Sequence, residues 1–151
     1  MTDERPTLAD YGWRRTFPTR WHDNDVFGHL NNTIYYAAMD TTVTSWLLDA
    51  GAARHGRPVA AAETDPAFVV ASSCRYFASA AFPDALVVGL RADRVGTTSV
   101  SWGLGIFREE DEELLATGTF VHVFVGRDDR RPIPVPEPIR ERIRHELGAG
   151  A

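Results

Sequence analysis

Apolar and polar positions alternate most clearly between Thr98 and Phe107. Val100, Trp102, Leu104 and Ile106 share one parity, and Ser99, Ser101, Gly103 and Gly105 share the other. A period of two places these sets on opposite faces of a strand with one buried side. Three further runs, Ala67–Phe77, Ala85–Val95 and Leu114–Val125, are rich in β-branched and aromatic residues and read as strands. Trp13–Trp21 reads as an earlier strand, bent or interrupted by Pro18. The breaks between the last runs are short, at Pro83-Asp84, Gly96-Thr97 and Glu109–Glu113, which suits antiparallel neighbours.

Thr33–Ala50 has a different pattern. Ile34, Tyr35, Ala38, Met39, Val43, Trp46, Leu47 and Leu48 are spread around a helical wheel, Asp40 and Asp49 are the only charges, and Gly51 supplies a stop. A helix apolar on most sides is expected to be surrounded by protein, here by a sheet wrapped around it. A short helix is expected at about Pro138–Leu147, after the stiff, extended Arg131-Pro132-Ile133-Pro134-Val135-Pro136. Residues 1–11 read as a loose lead-in, and residues 52–66 as a connection broken by Gly56, Pro58 and Pro66. One helix packed on five antiparallel strands is an α+β arrangement. With 151 residues and no internal repeat, the chain is read as a single domain, 1–151, with its core at about 13–145.

Charge and cysteine content narrow the function. The net charge of -5 argues against a nucleic-acid partner. Every basic residue is arginine, which reads chiefly as compositional bias, though single arginines remain suited to phosphate. The lone cysteine, Cys74, excludes an intramolecular disulfide and points to a reducing compartment, the cytoplasm. The polar start Met1–Pro6 lacks the apolar core of a signal peptide, and no apolar run reaches membrane-spanning length. The run Glu109–Glu113 reads as a solvated hairpin tip rather than a metal site.

The chemistry concentrates in Arg20-Trp21-His22-Asp23-Asn24-Asp25-Val26-Phe27-Gly28-His29-Leu30-Asn31-Asn32, immediately before the long helix. A helix start offers unpaired N–H groups and positive partial charge, suited to a negative oxygen. A carboxylate beside it can activate water or attack a carbonyl. Spacing alone leaves open a plainer reading, in which Asp23, Asn24 and Asn31 build turns and cap the helix.

Asp23-Asn24-Asp25-Val26-Phe27-Gly28-His29-Leu30-Asn31-Asn32-Thr33-Ile34-Tyr35 resembles the motif D-x-D-x-x-G-H-(V/L)-N-N-x-x-Y of the hotdog-fold thioesterases of the 4-hydroxybenzoyl-CoA and acyl-CoA type. The resemblance extends more weakly over about residues 13–145, through Arg75-Tyr76, Pro83-Asp84 and the Arg131–Pro136 ending. It implies a five-stranded antiparallel sheet wrapped around a long helix. It also implies a homodimer paired through its sheets, or a homotetramer, with active sites at the dimer interface.

The same resemblance makes Asp25 the catalytic carboxylate, as base toward water or as nucleophile, and Asp23 a structural residue. Gly28 would give a tight backbone path near the ligand, and His29 would orient the carboxylate or the thioester oxygen. Asn31 and Asn32 would begin the helix, with N–H groups around Asn32 and Thr33 polarising the carbonyl. Tyr35 would sit beside the acyl pocket or in the core. Asp40 stands where relatives often carry Glu. Arg94, Arg130 and Arg131 are candidates for the phosphates of coenzyme A. The expected reaction is hydrolysis of an acyl-CoA thioester, without cofactor or metal. Alternatives are an acyl-carrier-protein thioesterase (disfavoured by Phe27, where plant-type enzymes have Asn), a hotdog hydratase or dehydratase, and a non-catalytic acyl-CoA binder.

Overall fold

The computed structural model describes residues 5–54, 57–58 and 66–148. Five strands, β1 (Trp13–Pro18), β2 (Ala67–Tyr76), β3 (Ala85–Val95), β4 (Ser99–Arg108) and β5 (Leu114–Phe124), form one antiparallel sheet in the order β1-β3-β4-β5-β2. Helix α1 (Asn32–Leu47) packs on one face, and α2 (Glu137–Glu146) closes the chain. This is the hotdog α+β fold expected from the sequence. Strand β1 stops at Pro18 rather than at Trp21, where Trp21–Asp23 makes a 3-10 turn instead. Most of the 52–66 connection lies outside the described residues; Ala53–Arg54 pairs with Arg57–Pro58.

The alternation in β4 works as its pattern requires. Val100, Trp102, Leu104 and Ile106 are buried and join Leu86, Val88 and Leu90 of β3 in the core under α1. From the helix, Tyr35, Ala38, Met39, Val43 and Trp46 enter the same core. The acidic run does form a hairpin tip: Arg108 gathers Asp111 at 2.8 Å and Glu113 at 2.7 Å, and both carboxylates are exposed.

Two expectations require correction. In its described part, the lead-in is not loose: Leu8 and Tyr11 are buried with Val87 and Phe107 on the sheet's outer face. Tyr11 lies over Gly105, where a Cβ would come within 2.5 Å of the phenol oxygen, so glycine is what lets the ring settle there. Nor is α1 enclosed within one chain. The sheet covers only one side, and Asn32, Thr33, Tyr36, Ala37, Asp40 and Thr44 are exposed on the other. An open sheet can contact only one side of a helix: Tyr35, Ala38, Met39, Val43 and Trp46 turn toward it, and the uncovered stripe is mainly polar.

His122 of β5 is a buried ionisable residue beside this core. The Trp102 indole N–H donates to its Nδ1 at 2.9 Å, which leaves the ring proton on Nε2. Burial lowers its pKa, and Asp40 opposes this more weakly. The unfolded chain therefore binds more protons than the fold between the depressed pKa and the ordinary value of 6.5, so stability falls on acidification through that window. Melting temperature is expected to drop between pH 7.5 and pH 5.5, where ordinary carboxylates stay ionised. His122→Gln should flatten that dependence, and an unchanged slope in the variant would refute the assignment.

Candidate active site

The segment between β1 and α1 is a closed loop with a paired stem. Asn31 N–H donates to Asp23 O at 2.8 Å, Asn24 bridges Leu30, and Asp25 N–H donates to His29 O at 2.8 Å. The stem is tied to the body of the protein twice, by Leu30 N–H to Ala80 O at 2.8 Å and by Phe82 N–H to Asn24 Oδ1 at 3.0 Å. The Asn24 tie was not anticipated from the sequence, because it joins segments 58 residues apart. Gly28 turns the tip at φ 81°. A Cβ there would meet nothing within 4 Å, so conformation, not space, favours glycine.

Asp23 and Asp25 have separate tasks. Asp23 is buried and accepts from the Arg20 backbone N–H at 2.7 Å and from the Arg20 guanidinium at 3.0 and 3.2 Å, a structural anchor for the loop. Asp25 is half-buried. Its Oδ1 accepts from Phe27 N–H at 2.9 Å and His29 N–H at 3.4 Å, an Asx-type turn. Among the described residues nothing hydrogen-bonds to Oδ2, which is therefore available to water or substrate. The carboxylate is thus oriented by one oxygen and open at the other.

The helix start is similarly divided. Asn31 caps α1, its Oδ1 accepting from Thr33 N–H and Thr33 Oγ1, both at 3.0 Å. Ile34 N–H donates to Asn31 O at 2.9 Å. Thr33 N–H is thus already occupied, and of the two N–H groups expected to face a carbonyl only that of Asn32 lacks a partner among the described residues. Asp25 lies two rungs above the Asp23–Asn31 pair, roughly 7 Å along a strand ladder, and Asn32 directly follows it. Asn31→Ala should cost about 1 kcal/mol, the usual worth of an N-cap. Chemical denaturation would measure it, and no loss would contradict the capping role.

The other candidates divide. The His29 side chain is exposed, with no partner among the described residues; its contribution to Asp25 comes from its backbone. Tyr35 lies in the core, edge-to-face with Tyr76 at 5.2 Å, and burial raises its pKa. Arg94, Arg130 and Arg131 are all exposed; Arg130 lies over the Phe68 ring at 5.6 Å. Cys74 is half-buried, and desolvation raises its pKa, opposite to an activated thiol. Among the described residues no group of three or more His, Cys, Asp or Glu could hold a metal ion. No described helix is long and apolar enough to cross a membrane.

Residues 19–143, which contain this loop, α1, most of α2 and four whole strands, match the thioesterase-like superfamily. The chain belongs to that family. It is a thioester hydrolase. A protein of Pseudomonas aeruginosa is similar over 95% of this chain and 97% of its own, at 40% identity and a TM-score of 0.83. A Thermus thermophilus thioesterase, solved in complex with coenzyme A and zinc, is 25% identical over 94% of this chain and 98% of its own, with a TM-score of 0.76. A 1,4-dihydroxy-2-naphthoyl-CoA thioesterase of Synechocystis shares the fold at 21% identity, covering 86% of this chain and 93% of its own, with a TM-score of 0.74. A comparison with curated proteins finds no match.

Proposed function

We propose that this thioester hydrolase cleaves acyl-coenzyme A to a carboxylic acid and free coenzyme A, with Asp25 as the reacting carboxylate. The observation that carries the reading is that one loop stem holds both Asp25 Oδ2 and, directly after it, the Asn32 N–H that starts α1, each without a partner among the described residues. The developing oxyanion takes the Asn32 N–H and the positive end of the helix. Asp25 either removes a proton from the attacking water or attacks the carbonyl itself to give a mixed anhydride that water then hydrolyses, and both routes use the same open oxygen. The thiolate of coenzyme A leaves and takes up a proton. No step calls for a cofactor or a metal. The coenzyme A bound to the Thermus relative supports the choice of carrier.

The active unit is proposed to be a homodimer. Strand β2 lies at a sheet edge and exposes Phe68, Val69, Val70 and Tyr76, an apolar edge that an isolated chain would leave open to association. The bare side of α1, from Asn32 through Tyr36 to Asp40, would be covered by the same partner. Val70, 61% exposed, is a direct probe. Val70→Asp is expected to shift the protein to monomer mass in light scattering and to lower turnover at least tenfold. A variant that stays dimeric, or a fully active monomer, would contradict this.

Hydrolysis itself is tested in ¹⁸O-water with an acyl-CoA substrate. The expected products are free thiol and ¹⁸O-labelled acid in equal amounts. Bound but uncleaved substrate, or a hydrated acyl-CoA with its thioester intact, would overturn the reading.

A further inference from the structure

The outer face of the sheet, away from α1, carries a groove of about 320 Å³. That lies at the lower end of the range for small-molecule sites. No residue of the Asp25 loop lines it. Strand register explains its shape. One row across the sheet runs Arg91, Gly103, Thr119, Ser73, and the next runs Gly89, Gly105, Thr117, Arg75. The middle of each row is small or hydroxyl-bearing, and arginines stand at the flanks.

The walls are built around aromatic rings. Arg5 lies 4.7 Å and Arg75 5.7 Å from the Phe77 centroid, so two guanidinium groups share one ring. Across the groove Arg91 lies 5.1 Å from the Tyr11 ring. Its charge is met by Asp93 at 2.8 Å. Neither Arg5 nor Arg75 has an ion-pair partner among the described residues. Both guanidinium groups are solvent-exposed, and two like charges brought to one ring make a favourable place for an anion. The remaining polar groups can all donate: Ser73, Thr117, Thr119 and the Tyr11 hydroxyl, the last kept protonated by a pKa raised to about 12 through burial. In a chain of net charge -5 this concentration of guanidinium groups runs against the overall field.

We infer that this groove is a second ligand site that binds a phosphate group, with the Arg5 and Arg75 guanidinium groups on its charge and the Thr117 and Thr119 hydroxyls beneath it. Guanidinium forks suit phosphate oxygens, and hydroxyls on a rigid strand fix their position. The volume admits a phosphate with a small organic fragment or a pyrophosphate. The inference does not depend on which residue catalyses hydrolysis.

Calorimetric titration of the full chain with inorganic pyrophosphate tests it. One site is expected. Arg75→Gln should weaken binding at least tenfold, and Thr117→Val, which keeps the side-chain shape, severalfold. Arg15→Gln, an exposed arginine outside the groove, should leave it unchanged. Adenosine 3′,5′-bisphosphate in competition distinguishes the sources: displacement of pyrophosphate assigns the site to a nucleotide phosphate, and absence of displacement assigns it to a free or small-molecule phosphate. The inference is overturned if the folded wild type binds no pyrophosphate. It is also overturned if Arg75→Gln binds like wild type, or if Arg15→Gln weakens binding as much as Arg75→Gln does.

Discussion

Asp25→Asn is expected to lower kcat on acyl-CoA by roughly 10²–10⁴-fold, the usual contribution of a positioned general acid or base, while leaving fold and assembly intact. The asymmetry of the Asp25 hydrogen bonds is the reason. Its Oδ1 holds the loop by accepting from Phe27 and His29 N–H groups, and an Asn carbonyl oxygen can accept both. What the amide cannot do is carry negative charge on the open oxygen, where a proton must be taken or a carbonyl attacked. The variant should match wild type in circular dichroism, in assembly mass and in affinity for coenzyme A. Turnover within a few-fold of wild type in a protein so verified would remove Asp25 from the reaction.

Trp46→Ala is expected to destabilise the protein by about 3–5 kcal/mol, a large share of the ~5–15 kcal/mol that holds a domain folded. Trp46 is fully buried, and its ring lies 5.4 Å from that of Trp102 at the centre of the core. Its indole N–H donates to Glu146 Oε2 at 2.9 Å, so the same side chain fastens α1 to α2. Glu146 also pairs with Arg142 at 2.7 Å, so the variant leaves no orphaned carboxylate, and the loss comes mainly from the cavity. Trp46→Phe should cost less, since much of the apolar volume remains. Urea denaturation monitored by far-ultraviolet circular dichroism measures both. A loss below about 1 kcal/mol for Trp46→Ala would mean that the core collapses around the gap, contrary to its fully buried position.

Much of this architecture is legible in the chain because its signals are local. The two-residue period of β4, the short turns around it and the cap at Asn31 each act within a few residues. The strand boundaries from Ala67 onward accordingly fall within a residue or so of those expected. What was misread depends on contacts distant in sequence. Leu8 and Tyr11 read as part of a loose lead-in until the glycines of β3 and β4 open a seat for them. The exposed side of α1 could not be foreseen from composition, since an all-round apolar helix does not say which neighbours belong to its own chain. In the loop, the motif singled out Asp25 and the helix start, and α1 does begin at Asn32. The division of labour between Asp25 Oδ1 and Oδ2, and the occupation of Thr33 N–H by Asn31, are hydrogen-bond geometry that spacing does not encode.

The most direct test of the central claim is thiol release from short, long and aromatic acyl-CoAs, followed with a thiol-reactive dye for wild type and Asp25→Asn side by side. The account predicts steady turnover of at least one ester by wild type and its near-complete loss in the variant at equal protein concentration. A folded wild type that releases no thiol from any ester, or a variant that keeps pace with it, would contradict the account.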